Sequence, residues 1–210
     1  MDQTFRWDET RELLSGCPEL AVDEHRGGFI GEDDAGVTFR VRPPLIQPIG
    51  EDIATSRQFV AGLEEELGSH LVILMQAGAA SLGWFEEGES VRTKTIKKYV
   101  VRGRGKAQPT HLSTKGKSRY GSRLRLQQAK ALLVEINERL HDWFDEFGEP
   151  AHVLYSCPTR MWPGLFGAKP APPFDKDDPL IKIPLDLPVP TTDVLLRTYK
   201  GLTYGSIDEV

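Results

Sequence analysis

The chain has 210 residues, 39% hydrophobic and 27% charged, with a formal net charge of -5. That is the composition of an ordinary soluble globular protein, long enough to bury a core without a disulfide or metal staple. Two cysteines far apart, Cys17 and Cys157, exclude a disulfide framework and suit a reducing, cytoplasmic setting. The polar, acidic start at Met1 to Glu9 is not a secretory leader, and the apolar run Leu71 to Met75 is too short to cross a bilayer.

Residues 1–24 read as helix and loop, with a weak helix over Thr10 to Leu14. His25 to Pro44 reads as a hairpin whose turn is Glu32 to Gly36. Three prolines make a connector of residues 43–50. Asp52 to Leu67 is predicted as a helix, because Ile53, Phe59, Val60, Leu63 and Leu67 recur at helical spacing and Gly68 stops it. Leu71 to Met75 is a buried strand, joined through Gly78 to a second strand at Ala80 to Phe85. Lys94 to Val101 alternates as a third strand.

Gly103 to Gly121 then loses hydrophobic periodicity. It has four glycines, Pro109 and many polar groups, and is expected to project as a mobile loop. Ser122 to Phe147 is the clearest helix, with an apolar stripe of Leu132, Leu133, Ile136, Leu140, Trp143, Phe144 and Phe147 ended by Gly148 and Pro150. His152 to Cys157 is a further strand. Nine of the fifteen prolines fall between Pro158 and Pro190, so that segment is expected to be irregular apart from a short strand at Leu180 to Ile183. Thr191 to Lys200 is a final helix, capped by Thr192 or Asp193.

The net charge hides a sorted distribution. From Ser90 to Val134 there is no Asp or Glu. Twelve Lys or Arg residues fall between Arg92 and Arg125: Arg92, Lys94, Lys97, Lys98, Arg102, Arg104, Lys106, Lys115, Lys117, Arg119, Arg123 and Arg125. A positive block in an acidic body points to a polyanionic partner. Arg123 and Arg125 also oppose the dipole at the start of their helix, where a phosphate is well placed.

Several chemistries lack support. The histidines at 25, 70, 111, 141 and 152 show no metal-ligand spacing, and no cofactor motif is present. Gly116-Lys117-Ser118 copies the end of a phosphate-binding loop, but His111 stands where that motif needs glycine. Asp142, Asp145 and Glu146 read as solvent-facing acids. What remains is Arg102-Gly103-Arg104-Gly105-Lys106-Ala107-Gln108, with permissive glycines, phosphate-seeking bases and one neutral amide. Glutamine is no general base, but it can position a water and help hold a developing oxyanion.

The stretch from Leu71 to about Leu140 resembles the catalytic domain of the Vms/Ankzf-type release factors, relatives of the central domain of eukaryotic and archaeal class-1 release factors. The likeness is carried by the strand at Leu71 to Met75, the turn at Gly78, Lys94 to Arg102, the Gly-x-x-Gln at Gly105 to Gln108, and the run from Gly116 to Arg125. Asp178-Pro179-Leu180-Ile181 echoes the family as well.

The resemblance implies an α/β (α+β) fold, a mixed β-sheet flanked by helices with a long basic loop. It implies a catalytic domain over 67–210 and is silent about residues 1–66, which read as a hairpin and helix segment packed on that core. It also implies a peptidyl-tRNA hydrolase acting at the peptidyl-transferase centre of stalled large ribosomal subunits, in ribosome-associated quality control. Gln108 then orients the water or stabilises the transition state, and Gly105 allows the loop to turn. Arg102, Arg104, Lys106, Lys115, Lys117, Arg119, Arg123 and Arg125 grip tRNA or rRNA phosphates. The implied partners are the large subunit, peptidyl-tRNA and rRNA; the sequence itself leads to the expectation of no membrane and no cofactor, and of a monomer, since it carries no coiled-coil seam.

The family's usual motif has a second glycine where this chain has Lys106. If that position takes positive φ, a lysine costs roughly 1 kcal/mol there. Two other readings share the same basic loop: a non-catalytic ribosome- or RNA-binding protein, and a nuclease that cuts tRNA near its CCA end.

Overall fold

The structure is a computed structural model that describes residues 3–23, 25–33, 35–98 and 117–210, and of residues 117–122 the backbone alone. The first half of the chain carries β1 (Gln3–Arg6), α1 (Thr10–Gly16), β2 (Ala21–Val22), β3 (Phe29–Glu32), β4 (Thr38–Arg42), α2 (Ser56–Gly62), β5 (Ser69–Gln76), β6 (Ala79–Glu86) and β7 (Glu89–Lys97). The second half carries α3 (Lys117–Phe147), β8 (His152–Ser156), α4 (Trp162–Phe166), β9 (Ile181–Lys182), α5 (Thr192–Leu202) and β10 (Tyr204–Glu209). The chain divides into two compact units, residues 1–67 with 197–210, and residues 68–196.

The first unit holds an antiparallel sheet in the order β1-β10-β4-β3-β2. Phe5, Leu14, Leu20, Phe29, Val41 and Phe59 form its core. Residues 1–24 therefore include two strands as well as the expected helix. β1 escapes a pattern reading because Phe5 is its one buried residue. Gly205 on β10 is what lets Phe5 close in, since a side chain there meets the Phe5 ring.

The helix expected over 52–67 is shorter. Thr55 caps α2 in a capping box with Gln58, and Leu63 is already extended, with ψ of 129°. The Arg11 guanidinium takes up two of the last carbonyls, Val60 O at 3.1 Å and Leu63 O. Beyond them Glu64, Glu65 and Glu66 place negative charge at the negative end of the dipole, which disfavours another turn.

The second unit holds the mixed sheet, in the order β7-β6-β5-β8-β9. β5 pairs antiparallel with β6 and parallel with β8, so the run at 71–85 and the strand at 152–156 lie at its centre. Two-residue turns join β5 to β6 and β6 to β7. Glu87 and Gly88 both have positive φ, 48° and 83°, as a type I′ hairpin turn requires. That turn starts β7 at Glu89, five residues before the expected strand.

One face of the sheet packs on α3: Leu71, Ile73, Leu82, Trp84 and Ile96 meet Leu132, Ile136, Leu140 and Trp143. On the other face Gly83 makes room for Phe85 and Leu195. With both faces covered, β5 is buried from His70 to Met75, which is why its sequence is a continuous apolar run.

The proline-rich segment is not wholly irregular. It forms the short helix α4, with Pro163 in its first turn where a missing N–H costs nothing. Asn137, buried on α3, ties this segment down: its Nδ2 donates to Leu165 O at 2.9 Å and Pro170 O at 2.7 Å. α5 is capped one residue before the expected cap, by the Thr191 hydroxyl, which accepts from the Val194 N–H at 3.2 Å.

Candidate nucleic-acid interface

β7 is an edge strand, and pleating divides its bases between two faces. Arg92 pairs with Trp84, Lys94 with Leu82 and Ile96 with Ala80, so these residues and Lys98 share the face that meets α3. α3 crosses in the opposite sense. Near the start of β7, Arg92 binds Glu146, and near its end Lys98 Nζ lies 2.5 Å from Glu135 Oε2.

The structure corrects the expectation of an unopposed positive block at these two positions. Acids supplied by α3 neutralise Arg92 and Lys98. Glu146 is accordingly not a plain solvent-facing acid, while Asp142 pairs locally with Arg139 at 2.9 Å. No pattern within β7 announces these partners, because they lie more than thirty residues away in sequence.

The remaining bases behave differently. Lys94, Lys97 and Arg123 are exposed and Arg125 is half-buried. Among the described residues none forms an ion pair with these four. They are available to an external anion.

Where β7 ends, the Lys98 N–H donates to the Gly78 carbonyl at 2.8 Å, which fixes the chain against the β5–β6 turn. α3 begins at Lys117, five residues before the expected start. From Glu135, beside Lys98, back to Lys117 is roughly 27 Å of helix at 1.5 Å per residue. Leu132 is the first buried residue among those whose side chains are described in that stretch, and Leu126 is 60% exposed. The described residues of α3 before Leu132 include Arg123 and Arg125, and none of them is buried.

Gln108, Gly105, Arg102, Arg104, Lys106 and Lys115 lie outside the described residues. Lys117 and Arg119 fall in the first turns of α3, and their side chains lie outside the described set too. The described residues therefore place the two ends between which the Gly-x-x-Gln stretch runs.

Other chemistry is weakly supported. Among the described residues no three His, Cys, Asp or Glu side chains stand close enough to hold a metal ion. The Cys157 thiol is pushed by burial up to about 12, so it is protonated and a poor nucleophile at neutral pH. No described helix is long and apolar enough to cross a membrane.

Comparison with known proteins fits this layout. The family model described as "bVLRF1: Bacteroidetes VLRF1 release factor" matches residues 70–210. The match takes in the second unit almost whole, with β7, α3 and the segment between them. Among solved structures, one described as "Vms1 mitochondrial localization core" superposes with a TM-score of 0.55 at 11% identity, covering 96% of this chain and 80% of that one. At that identity the likeness shows the fold, a mixed α/β architecture shared with the Vms1 core. No curated protein matches the chain.

Proposed function

The chain belongs to the Bacteroidetes VLRF1 release-factor family, of Vms1/Ankzf type, and from that membership we propose that it is a peptidyl-tRNA hydrolase acting on stalled large ribosomal subunits. The observation that carries the reading is that the family match spans the whole acid-free connection from β7 to α3, including Gly105 to Gln108. The protein works in the cytoplasm, in ribosome-associated quality control.

Lys94, Lys97, Arg123 and Arg125 support the binding half of this reading: each is solvent-accessible, and none is committed to an acid among the described residues. They neutralise phosphates of tRNA and rRNA beside the segment, together with Arg102, Arg104, Lys106, Lys115, Lys117 and Arg119. This steers the Gly-x-x-Gln stretch into the peptidyl-transferase centre.

There Gln108 orients a water toward the ester carbon that joins peptide to tRNA, and donates toward the oxyanion that forms. Gly105 gives the turn its freedom. The glutamine amide is neutral throughout and takes no proton; as the ester C–O bond breaks, one proton of the water passes, through groups of ribosomal RNA that complete the site, to the departing ribose oxygen, which leaves free peptide and an intact tRNA 3′ end.

A second reading, binding without hydrolysis, is favoured by Lys106 in place of the family's second glycine. One experiment separates the possibilities. Stalled large subunits bearing labelled peptidyl-tRNA are incubated with the protein, and the 3′ end of the released tRNA is sequenced. Free peptide with an intact CCA end supports ester hydrolysis. Free peptide with a shortened end replaces it with tRNA cleavage. Bound protein with no free peptide leaves the binding factor.

A further inference from the structure

A cavity of about 220 Å³ lies between the β5–β6 turn at Gly78, α3 at Ala129 and Leu133, and the approach to α4 at Arg160 and Met161. Its walls are almost wholly apolar, and Arg160 is its one charged lining residue. Gly78 is also the residue whose carbonyl holds the Lys98 N–H, so the cavity opens beside the point where the basic segment leaves β7.

The three stretches of chain that line it share a property invisible in any one of them. Leu67 to Phe85, Ser90 to Val134 and Pro150 to Phe174 contain no Asp or Glu, although the protein has 31 acidic residues. The fold has gathered its three longest acid-free stretches around one apolar cavity. Charge complementarity therefore points to a partner that is anionic outside and apolar inside.

We infer that this cavity receives one unpaired nucleobase of an RNA strand whose phosphates lie on the neighbouring bases. The inference rests on the RNA-binding part of the proposed function and not on its chemistry. A phosphate is a poor occupant, because an apolar floor offers nothing to replace its water. A base has two apolar faces and polar edges that stay at the rim.

The volume lies below the roughly 300–1,000 Å³ of pockets for drug-sized ligands, and suits a single ring system. Arg160 is exposed, so its planar guanidinium can lie over the base while its charge answers the next phosphate. Gly164 belongs to the same wall: a side chain there presses on Leu133, whose Cδ1 already lies 3.1 Å from the position of its first carbon.

The test uses the full chain and two labelled RNAs of six nucleotides, hexaadenylate and its fully abasic counterpart, which keeps every phosphate and ribose. Fluorescence anisotropy should show the wild type binding hexaadenylate about tenfold more tightly, as expected for a stacked base. Ala129→Phe fills the cavity from a half-exposed helix position; it should abolish that preference while leaving abasic binding unchanged. Arg160→Gln, at an exposed site that leaves folding intact, should reduce the preference.

Equal binding of the two RNAs by the wild type overturns the proposal. So does a preference that survives Ala129→Phe, which leaves the cavity to an apolar peptide side chain or to no ligand. If circular dichroism shows Ala129→Phe unfolded, a 4-thiouridine hexamer is crosslinked to the wild type. Adducts on Arg160 or Met161 support the site, and adducts confined elsewhere overturn it. Peptide release plays no part in these readouts. A protein that keeps the base preference but releases no peptide contradicts the proposed hydrolysis alone.

Discussion

The Arg92 guanidinium reaches both carboxylate oxygens of Glu146, Nη2 to Oε1 at 2.7 Å and Nη1 to Oε2 at 3.1 Å, with the Phe147 ring centroid 5.2 Å from its central carbon. Further along the same strand Lys98 meets Glu135. The two pairs run β7 along α3 in a fixed register and cancel two charges of the basic segment at its root. What faces an incoming polyanion is the remainder.

Glu135→Gln releases Lys98 and removes the nearest acid. RNA affinity at low salt should rise roughly two- to fivefold, equivalent to the 0.5–1 kcal/mol typical of a partly exposed pair. Filter binding or anisotropy measures it. An unchanged affinity means that Lys98 takes no part in the interface.

Arg123 and Arg125 sit on α3 ahead of Leu132, the first buried residue among those described there. The double change to Ala should weaken RNA binding and lower the slope of log affinity against log salt by about two. Folding stability should shift by less than about 0.5 kcal/mol in urea, because neither side chain supports the core. A changed stability with an unchanged slope makes them structural.

Among the described residues of the second unit, Asn137 is fully buried, as are the polar His70 and Ser81. Its Nδ2 serves two carbonyls at once, so Asn137→Ala removes the donor from Pro170 O, leaves Leu165 O to the backbone N–H groups that follow α4, and opens a cavity. The expected loss is about 2–4 kcal/mol of unfolding free energy, read from urea titration. A loss below about 0.5 kcal/mol contradicts this role.

In the first unit, burial pushes the Asp23 carboxyl upward. The Arg26 N–H, the Arg40 guanidinium and the His25 N–H outweigh it, and together they hold the group below its ordinary value. A carboxyl lowered in the folded state stabilises above its unfolded pKa of about 4, and that contribution is lost as pH falls through the lowered value. The thermal stability gap between wild type and Asp23→Asn should therefore be full at neutral pH and shrink below about pH 4. A gap independent of pH means that the carboxylate charge is not what Arg40 needs.

How legible this was in the sequence depended on how local each cause is. The stripe from Leu132 to Phe147 and the continuous run at Leu71 to Met75 announced a helix and a doubly covered strand, because periodicity and burial coincide there. β10, Tyr-Gly-Ser-Ile-Asp-Glu, has one fully buried residue and joins β1 and β4 from the far end of the chain, so no window of sequence contains its reason to be a strand. The early end of α2 depends on Arg11, and the muted charge at Arg92 and Lys98 depends on Glu146 and Glu135. These are tertiary facts. Asn137 gave no signal, since a buried asparagine in a helical stripe reads as an exposed one. The basic segment itself was plain, because the absence of acids over a long stretch needs no structure to be seen.

One measurement separates chemistry by Gln108 from binding alone. Release of labelled peptide from stalled large subunits is followed for the wild type and Gln108→Ala, with ribosome co-sedimentation in parallel. With Gln108 acting on the bound ester, release in the variant should fall by about 10²–10³, the usual cost of losing one such donor, while co-sedimentation is unchanged. A Gln108→Ala protein that releases peptide at the wild-type rate contradicts that action.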